Sequence, residues 1–273
     1  MTLEDCMRLD PDIQAFYERG AEAGRLLGGF PSGPLELERT KELIGRHLPD
    51  GSLQILDVGG GPGVHARWLM DRGHEVRLVD PVALHVEQAT QAGVAAELGD
   101  ARSLTALDSS ADAVLMLGPL YHLLEPSDRE LALAEAHRVL RPGGLLFAAA
   151  ISRFAALLDM LVRTDALDEA VMPIVAEAVK TGAFRGGQQV FTNAYFHLPS
   201  ELVREVEAAG FGDAAVFSIE GPGFLVQNFE ERWADPARRE ILLASARLVE
   251  TEPEMLAAAS HLLTVARTPE TIF

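Results

Sequence analysis

The middle of the chain alternates short apolar runs with amphipathic stretches. Apolar runs at 53–58, 75–79, 94–98, 113–117 and 145–151 predict five strands, and the stretches between them have helical spacing. The runs are continuous rather than alternating, which is typical of strands covered by helices on both faces. The pattern therefore predicts an α/β fold with a doubly wound, mostly parallel sheet, which two further strands near the C-terminus would extend to seven.

Additional helices flank this core and should cover the ends of its strands. The expected parts are an N-terminal helical cap at 1–50, a core at 51–151, a helical lid insertion at 152–190, and the C-terminal part of the core at 191–273, with a helical insertion at 224–259. The first helix has Ile13, Phe16 and Tyr17 on one face, and the insertion has a stripe at Ala237, Ile241, Ala244 and Leu248. We expect the cap and the lid to lie over the carboxyl ends of the strands, where open α/β sheets bind ligands.

Composition and charge narrow the classes of function. The 41 acidic and 23 basic side chains give a formal net charge of −18, which disfavours nucleic-acid and anionic-membrane partners. The single cysteine, Cys6, excludes an internal disulfide and cysteine-rich metal sites. The apolar run at 145–151 is far shorter than the ~20 residues of a membrane-spanning helix. These features predict a cytoplasmic protein that acts on a small molecule, and they leave open whether it forms a homodimer.

A glycine-rich turn, DVGGGPG at 57–63, follows the first strand and opens a helix. Such a turn lets the backbone approach a ligand, and two cofactor classes use it: dinucleotides and S-adenosylmethionine. Gly61 and Gly63 with Ala66 satisfy the dinucleotide spacing, and Asp80 stands where a ribose-binding acid is expected. The carboxylate of Asp57 would repel a pyrophosphate but would suit a cationic amino-acid tail, which favours S-adenosylmethionine.

Five segments at strand ends together resemble the class I S-adenosylmethionine-dependent methyltransferases. They are ILDVGGGPG at 55–63, VD at 79–80, LGDA at 98–101, the segment 113–123 and RVLRPGG at 138–144. The resemblance is strong over about residues 50–150 and holds in outline over 199–270. The helical insertion at 224–259 departs from the family, whose sixth and seventh strands form a close pair. The resemblance implies a seven-stranded Rossmann-like fold and S-adenosylmethionine as the cofactor.

The same resemblance implies roles for individual residues. Asp80 would accept hydrogen bonds from the ribose, although a solvated strand-end acid has the same pattern. Asp100 and Ala101 would contact the adenine, unless Asp100 only closes an Asx-turn. The cofactor-binding residues expected in all are Asp57, Gly59, Gly61, Gly63, Asp80, Pro81, Asp100, Ala101, Leu117, Tyr17 and Arg25. The roles of Tyr17 and Arg25 follow from the expected cap and not from the resemblance. If the first helix closes over the strand ends, Tyr17 would bring a ring to the cofactor and Arg25 would pair with its carboxylate; the alternative is that the N-terminal helices only pad the outside of the sheet.

The candidate acceptor site follows the fourth strand, where the family exposes the methyl group. His122 and Tyr121 stand there, and a histidine can accept a proton at neutral pH, although many histidines are structural. Strand alternation places Tyr195 and His197 on one face, which indicates either a substrate-binding wall or a solvated edge strand. No grouping has metal-ligand spacing, so we expect no metal site.

The expected function is methyl transfer from S-adenosylmethionine to an oxygen or nitrogen of a small molecule. Two other interpretations stay open at this point. One is a nicotinamide-dependent oxidoreductase, which the dinucleotide spacing allows. The other is a non-catalytic S-adenosylmethionine-binding protein, which would lack an enclosed acceptor pocket.

Overall fold

The computed structural model describes residues 9–162, 169–186 and 191–270. Cys6 and parts of the expected cap and lid lie outside these ranges. The strands are β1 Gln54–Val58, β2 Glu75–Asp80, β3 Ala95–Leu98, β4 Ala111–Met116, β5 Leu140–Ser152, β6 Ala183–Phe184, β7 Ala194–His197, β8 Gly212–Ser218 and β9 His261–Arg267. The longer helices are α1 Pro11–Tyr17, α2 Gly33–His47, α3 Val64–Asp71, α4 Ala83–Gln91, α5 Pro119–His122, α6 Pro126–Val139, α7 Ala155–Val162, α8 Met172–Thr181, α9 Pro199–Ala208, α10 Phe229–Ala234 and α11 Pro236–Val249. None of the described helices is long and apolar enough to cross a membrane.

Seven of the strands form a sheet in the order β3-β2-β1-β4-β5-β9-β8. The first five are parallel, and Asp57 on β1 stands opposite Leu78 on β2 and Leu115 on β4. Strand β9 runs antiparallel between β5 and β8. The predicted fold class, a doubly wound and mostly parallel seven-stranded sheet, is therefore confirmed. Strands β6 and β7 form a small antiparallel ribbon, which joins the sheet through the last two residues of β5.

Apolar layers cover both faces of the sheet. One layer joins the sheet to α6 and α9, and the other joins it to α2 and α3. In α2, Leu43 and Ile44 are fully buried in the second layer. Of the two helices expected to form the N-terminal cap, α2 thus packs on a face of the sheet. Among residues 9–50 of the cap, α1 and the helical turns that follow it, Glu22–Gly24 and Arg25–Gly29, remain to cover the strand ends.

The helical insertion before the last strand is present, but its buried face differs from the prediction. Helix α11 begins as expected at Asp235, whose carboxylate caps two backbone N–H groups. Leu242 and Ala246 are its buried side chains, whereas Ile241 and Leu248 are 65% and 79% exposed. The predicted stripe at Ala237, Ile241, Ala244 and Leu248 is therefore wrong. Ten of the fourteen residues of this helix are apolar or small and occur on more than one side of it. Periodicity therefore allows more than one buried face, and tertiary packing selects between them.

Candidate active site

A cavity of about 340 Å³ lies at the carboxyl ends of β1, β2 and β4. The glycine-rich turn forms its floor, the ends of β2, β3 and β4 form its walls, and α1 with the following turn covers it. Its size falls within the range of about 300–1,000 Å³ that is typical of small-ligand sites. The position is the one predicted for ligand binding in an open α/β sheet.

The glycine-rich turn contains three glycines with positive φ. Gly59, Gly61 and Gly63 have φ values of 67°, 56° and 85°, which side chains rarely adopt. A Cβ added to Gly61 would meet only Glu22, at 3.8 Å, so Gly61 faces the open cavity. A Cβ added to Gly63 would lie 3.2 Å from Ala89, outside the cavity. Gly61 is thus placed to contact a ligand, and Gly63 allows close packing of α4. Gly59 also lines the cavity, but a Cβ there would lie 2.7 Å from Pro119, so its close approach is to α5.

Asp57, at the end of β1, is fully buried beneath the turn and lines the cavity. Neither of its carboxylate oxygens has a hydrogen-bond partner of regular geometry among the described residues. Burial and the nearby charge of Asp80 raise the pKa of Asp57 to about 7. The backbone N–H of Ala66 is the one donor that lowers its pKa, and no cationic side chain is among the causes of the shift. A buried carboxylate in this state favours a cationic ligand group that would pair with it. The ammonium group of an amino-acid tail fits this requirement, and a pyrophosphate does not.

Asp80, at the end of β2, is buried and bonded on both oxygens. Oδ2 accepts from the backbone N–H of Gly61 at 2.9 Å, and Oδ1 accepts from Val82 N–H at 2.9 Å and from the His85 ring at 3.1 Å. The carboxylate thereby ties the glycine-rich turn to the start of α4. A carboxylate offers about four acceptor sites, so one remains for a ribose hydroxyl. His85, on α4, is 3% exposed and lines the cavity.

Asp100 lines the cavity after β3 and closes the Asx-turn that was considered for it, while its contact with the adenine stays a prediction. Its Oδ1 accepts from the backbone N–H of Arg102 at 2.8 Å, which is an Asx-turn. The Arg102 guanidinium also pairs with Asp100 at 2.7 Å and with Asp128 at 3.0 Å. Pro81, Ala101 and Leu117, three further expected cofactor residues, line the same cavity.

Helix α1 closes the cavity through a contact between Tyr17 and His122. The Tyr17 hydroxyl lies 2.6 Å from Nε2 of His122, and the Tyr17 ring packs edge-on against the rings of His85 and His122. Burial lowers the pKa of His122 to about 4, so the ring is neutral near pH 7 and Nε2 can accept from the Tyr17 hydroxyl. Burial also raises the pKa of Tyr121, which lines the cavity beside it. Tyr17 therefore lines the cavity, and its contact with the cofactor stays a prediction. His122, with its lowered pKa, is a weaker base than an exposed histidine.

Arg25 lines the cavity, but its guanidinium is already paired. It donates to both carboxylate oxygens of Glu36, at 2.7 and 2.9 Å, and its Nε donates to Glu22 at 2.9 Å. To pair with a cofactor carboxylate as predicted, the Arg25 guanidinium would have to leave Glu36 or Glu22, or be shared between one of them and the cofactor. Of the expected lid segment, the described residues contribute only Arg185 to the cavity.

Tyr195 and His197, predicted to line the pocket, lie outside it. The Arg129 guanidinium stacks on the Tyr195 ring at 3.9 Å, and His197 is fully buried with its Nε2 at 3.2 Å from Glu205. Arg129 is 1% exposed and also donates to the backbone carbonyl of Leu123, close to His122. Strand alternation correctly placed the two side chains on one face, but a buried arginine network occupies that face.

Sequence reasoning missed a charged cluster at another side of the cavity. Glu36, Glu220 and His261 each bring one atom within 4.8 Å of the others. These residues are far apart along the chain, so only the pairing of β8 with β9 and the packing of α2 bring them together. The spacing would suit a metal ion, but Arg25 already occupies both oxygens of Glu36. The expected absence of a metal stays a prediction.

The charge of the lining favours one of the two cofactor classes. Eight acidic side chains line the cavity, against three arginines, of which Arg25 and Arg102 are ion-paired. A dinucleotide would bring two phosphate charges into this field, whereas S-adenosylmethionine brings a sulfonium and an ammonium. Together with the unpaired carboxylate of Asp57 and the open space at Gly61, the lining fits S-adenosylmethionine.

Comparisons with known proteins agree with this geometry. Residues 56–148 match the family model described as a methyltransferase domain. An uncharacterized methyltransferase of Mycobacterium tuberculosis is 36% identical over 143 residues, which cover 52% of this chain and 53% of that protein. The chain thus spans about half the length of the curated relatives it matches first.

Solved structures show the same fold over most of the chain. A Thermotoga maritima methyltransferase, described as a possible histamine N-methyltransferase, has a TM-score of 0.60 at 22% identity, covering 92% of this chain and 96% of that one. A Haemonchus contortus phosphoethanolamine N-methyltransferase in complex with S-adenosylhomocysteine has a TM-score of 0.59 at 17% identity, covering 94% and 60%. Residues 56–148 thus match a methyltransferase domain, and the sheet order and the solved structures show that the chain has the fold of the class I S-adenosylmethionine-dependent methyltransferases.

Proposed function

We propose that the protein transfers a methyl group from S-adenosylmethionine to an oxygen or nitrogen atom of a small-molecule acceptor. The observation that carries this proposal is the partly enclosed, acid-rich cavity over the glycine-rich turn, with the buried carboxylate of Asp57 in its wall. S-adenosylmethionine supplies an electrophilic methyl group on a sulfonium sulfur.

Different residues of the cavity would bind different parts of the cofactor. Asp57 would hold the ammonium group, and the free acceptor site of Asp80 would take a ribose hydroxyl. Asp100, which is fixed by Arg102, would border the adenine. Because these groups belong to strand ends and a rigid turn, they would hold the sulfonium in one orientation, which is what an in-line displacement needs.

Helix α1 would separate the reacting atoms from water. Tyr17 bridges from α1 to His122 at the end of β4, across the mouth of the cavity. Exclusion of water strengthens the electrostatic contacts inside and restricts the acceptor to aligned poses. A concave, partly enclosed cavity of this volume supports a small-molecule acceptor. The formal charge of −18 supports the proposal that nucleic acids and anionic membranes are not partners.

The proposal is tested by methyl transfer from S-adenosylmethionine with a tritiated methyl group to pooled phenols, catechols and primary amines. We expect product in at least one pool, and none with Gly61→Val, whose side chain would enter the cofactor space. The matched control is Gly45→Ala in α2, since a Cβ there meets no atom within 4 Å. Binding of NAD without binding of S-adenosylhomocysteine would contradict the proposal and favour an oxidoreductase. Binding of S-adenosylhomocysteine without transfer to any pool would favour the non-catalytic interpretation.

A further inference from the structure

A buried histidine, His85 on α4, lies beside the carboxylate that is expected to bind the ribose. Its Nδ1 is 3.1 Å from Oδ1 of Asp80, and only 3% of the residue is exposed. Because a carboxylate oxygen can only accept, Nδ1 carries the proton in this contact. In a neutral imidazole the other ring nitrogen, Nε2, is then a hydrogen-bond acceptor.

The Nε2 atom of His85 needs a donor that the described residues do not supply. It is buried and has no hydrogen-bond partner within residues 9–162, 169–186 and 191–270. Buried polar atoms of this kind are rare, since an unpaired one loses its hydrogen bond to water and gains none in return. His85 lines the cavity, so a molecule bound there can supply the missing donor.

The surroundings of the His85 ring limit where this donor lies. Asp80 holds Nδ1 from the end of β2, and the Tyr17 ring of α1 packs edge-on against the imidazole at a centroid distance of 5.2 Å. Both of these residues line the cavity as well. The two ring nitrogens belong to one five-membered ring, so a group that donates to Nε2 must lie close to the Asp80 carboxylate.

The Asp80 carboxylate has only one acceptor site left for a ligand. Gly61 N–H occupies one site on Oδ2, and Val82 N–H with His85 occupies two on Oδ1. A carboxylate offers about four such sites in all. A ribose presents two neighbouring hydroxyls as donors, so Asp80 can accept from one of them and the second needs another acceptor.

We propose that Asp80 and His85 share the two ribose hydroxyls of the cofactor, with Oδ2 of Asp80 accepting from one and Nε2 of His85 accepting from the other. The proposal rests on the proposed binding of S-adenosylmethionine and adds a specificity-determining residue that lies outside the five motifs. The pair selects a ribonucleoside over a deoxyribonucleoside, because a missing hydroxyl leaves a buried acceptor unpaired.

The ribose hydroxyls fit this place better than the other donors of the cofactor. The ammonium group is assigned to Asp57, beneath the glycine-rich turn. The adenine amino group is assigned to the neighbourhood of Asp100, after β3. The hydroxyls are the donors expected at Asp80, and Nε2 of His85 is the unpaired acceptor beside Asp80.

Calorimetry with S-adenosylhomocysteine and with its 2′-deoxy and 3′-deoxy analogues tests the assignment at pH 8.5, where an ordinary imidazole is neutral. The wild type should bind each analogue about tenfold more weakly than the parent ligand, because each analogue leaves one acceptor unpaired. In His85→Asn the amide can still donate to Asp80 in place of Nδ1, but nothing replaces Nε2. This variant should bind the parent ligand about tenfold more weakly and should no longer distinguish it from one of the two analogues.

Two further variants serve as controls. His85→Gln places an amide oxygen near the position of Nε2, so the lost discrimination should return. His74→Asn, at the opposite end of β2 from the cavity, should bind all three ligands like the wild type. If His85→Asn still discriminates against both analogues, the proposal is overturned even where the overall affinity falls, since His85 would then only support the wall around Asp80.

Nitrogen NMR of the wild type with ¹⁵N-labelled histidine gives a second readout. The Nε2 resonance of His85, assigned by its loss in His85→Gln, should belong to an unprotonated nitrogen. It should move upfield when S-adenosylhomocysteine binds, as expected for a lone pair that accepts a hydrogen bond, and should not move with the analogue that lacks the hydroxyl held by Nε2. A protonated Nε2, or a resonance that both analogues move as far as the parent ligand does, overturns the proposal.

Binding of the parent ligand separates a failure of this assignment from a failure of the proposed function. Tight binding of S-adenosylhomocysteine, with equal affinity for both deoxy analogues, overturns only the role of His85. No binding of S-adenosylhomocysteine to the wild type overturns the proposed function as well.

Discussion

Replacing Tyr17 by phenylalanine should weaken the closure of α1 over the cavity while leaving the fold intact. The substitution removes the hydroxyl that lies 2.6 Å from Nε2 of His122. It keeps the aromatic ring, which packs edge-on against Phe16, His85 and His122 at centroid distances of 5.2 to 5.3 Å. The change therefore isolates one hydrogen bond between the cap and the end of β4.

The structure sets the size of this effect. With a pKa of about 4, His122 is neutral at pH 7, so the contact is a bond between neutral groups with a net worth of about 0.5–1.5 kcal/mol. Its loss also leaves Nε2 without a partner in a buried place, which raises the total to about 1–3 kcal/mol. Closure should weaken by roughly 5- to 150-fold, since each 1.4 kcal/mol is a factor of ten. The melting temperature should change little, because α1 can open locally without global unfolding.

Two measurements check the prediction. Hydrogen exchange in residues 9–24 should be faster in Tyr17→Phe, with and without S-adenosylhomocysteine, and single-turnover methyl transfer should fall about tenfold or more. The matched control is Tyr195→Phe, whose hydroxyl accepts a long 3.4 Å contact from Arg153 outside the cavity. Unchanged exchange and turnover in Tyr17→Phe would refute the assignment of α1 as a cover, and an impaired Tyr195→Phe would reinstate Tyr195 as a substrate contact.

Three further changes test other parts of the account. Asp80→Ala should weaken S-adenosylhomocysteine binding by about 1.5–3 kcal/mol in calorimetry. The control Asp71→Ala, at an exposed position at the end of α3, should bind like the wild type. Equal affinities of the two variants would show that Asp80 does not bind the cofactor. Gly61→Val should abolish cofactor binding while circular dichroism shows a folded protein, and normal binding would place the cofactor elsewhere. Burial would lower the pKa of His261, but the nearby carboxylates of Glu36 and Glu220 raise it in the folded state to about 9, above its unfolded value of 6.5. The stabilisation by His261 is therefore complete below pH 6.5 and is lost as the pH rises through 9. In urea melts, wild type should lose roughly 2–3 kcal/mol more than His261→Asn between pH 6 and pH 9.5; parallel losses would contradict the ion-pair assignment.

The sequence was sufficient for the part of the site that lies at parallel strand ends. Asp57, Asp80 and Asp100 each follow an apolar run directly, and parallel strands bring their carboxyl ends to the same edge of a sheet. An acidic residue at the end of each predicted strand can therefore be expected to lie near the acidic residues at the ends of the neighbouring strands. The cover could also be predicted, because the apolar face of α1 had to be buried and the faces of the sheet were already covered.

The remaining parts depend on contacts that no local pattern encodes. Glu36, Glu220 and His261 come from three distant segments and meet through the β8–β9 pairing and the packing of α2. Strand alternation shows that Tyr195 and His197 share a face of β7, but it does not show which element packs against that face. In the structure the buried Arg129 stacks on Tyr195, which therefore lies outside the cavity. Such long-range ion pairs form only after the fold has placed their elements.

Calorimetry of the full-length chain with S-adenosylhomocysteine and, separately, with NAD tests the central claim most directly. Both ligands carry an adenosine, so they differ mainly in the charge that they bring to Asp57 and to the acidic lining. The account predicts saturable binding of S-adenosylhomocysteine that Gly61→Val abolishes, and no binding of NAD under the same conditions. Binding of NAD in place of S-adenosylhomocysteine would contradict it.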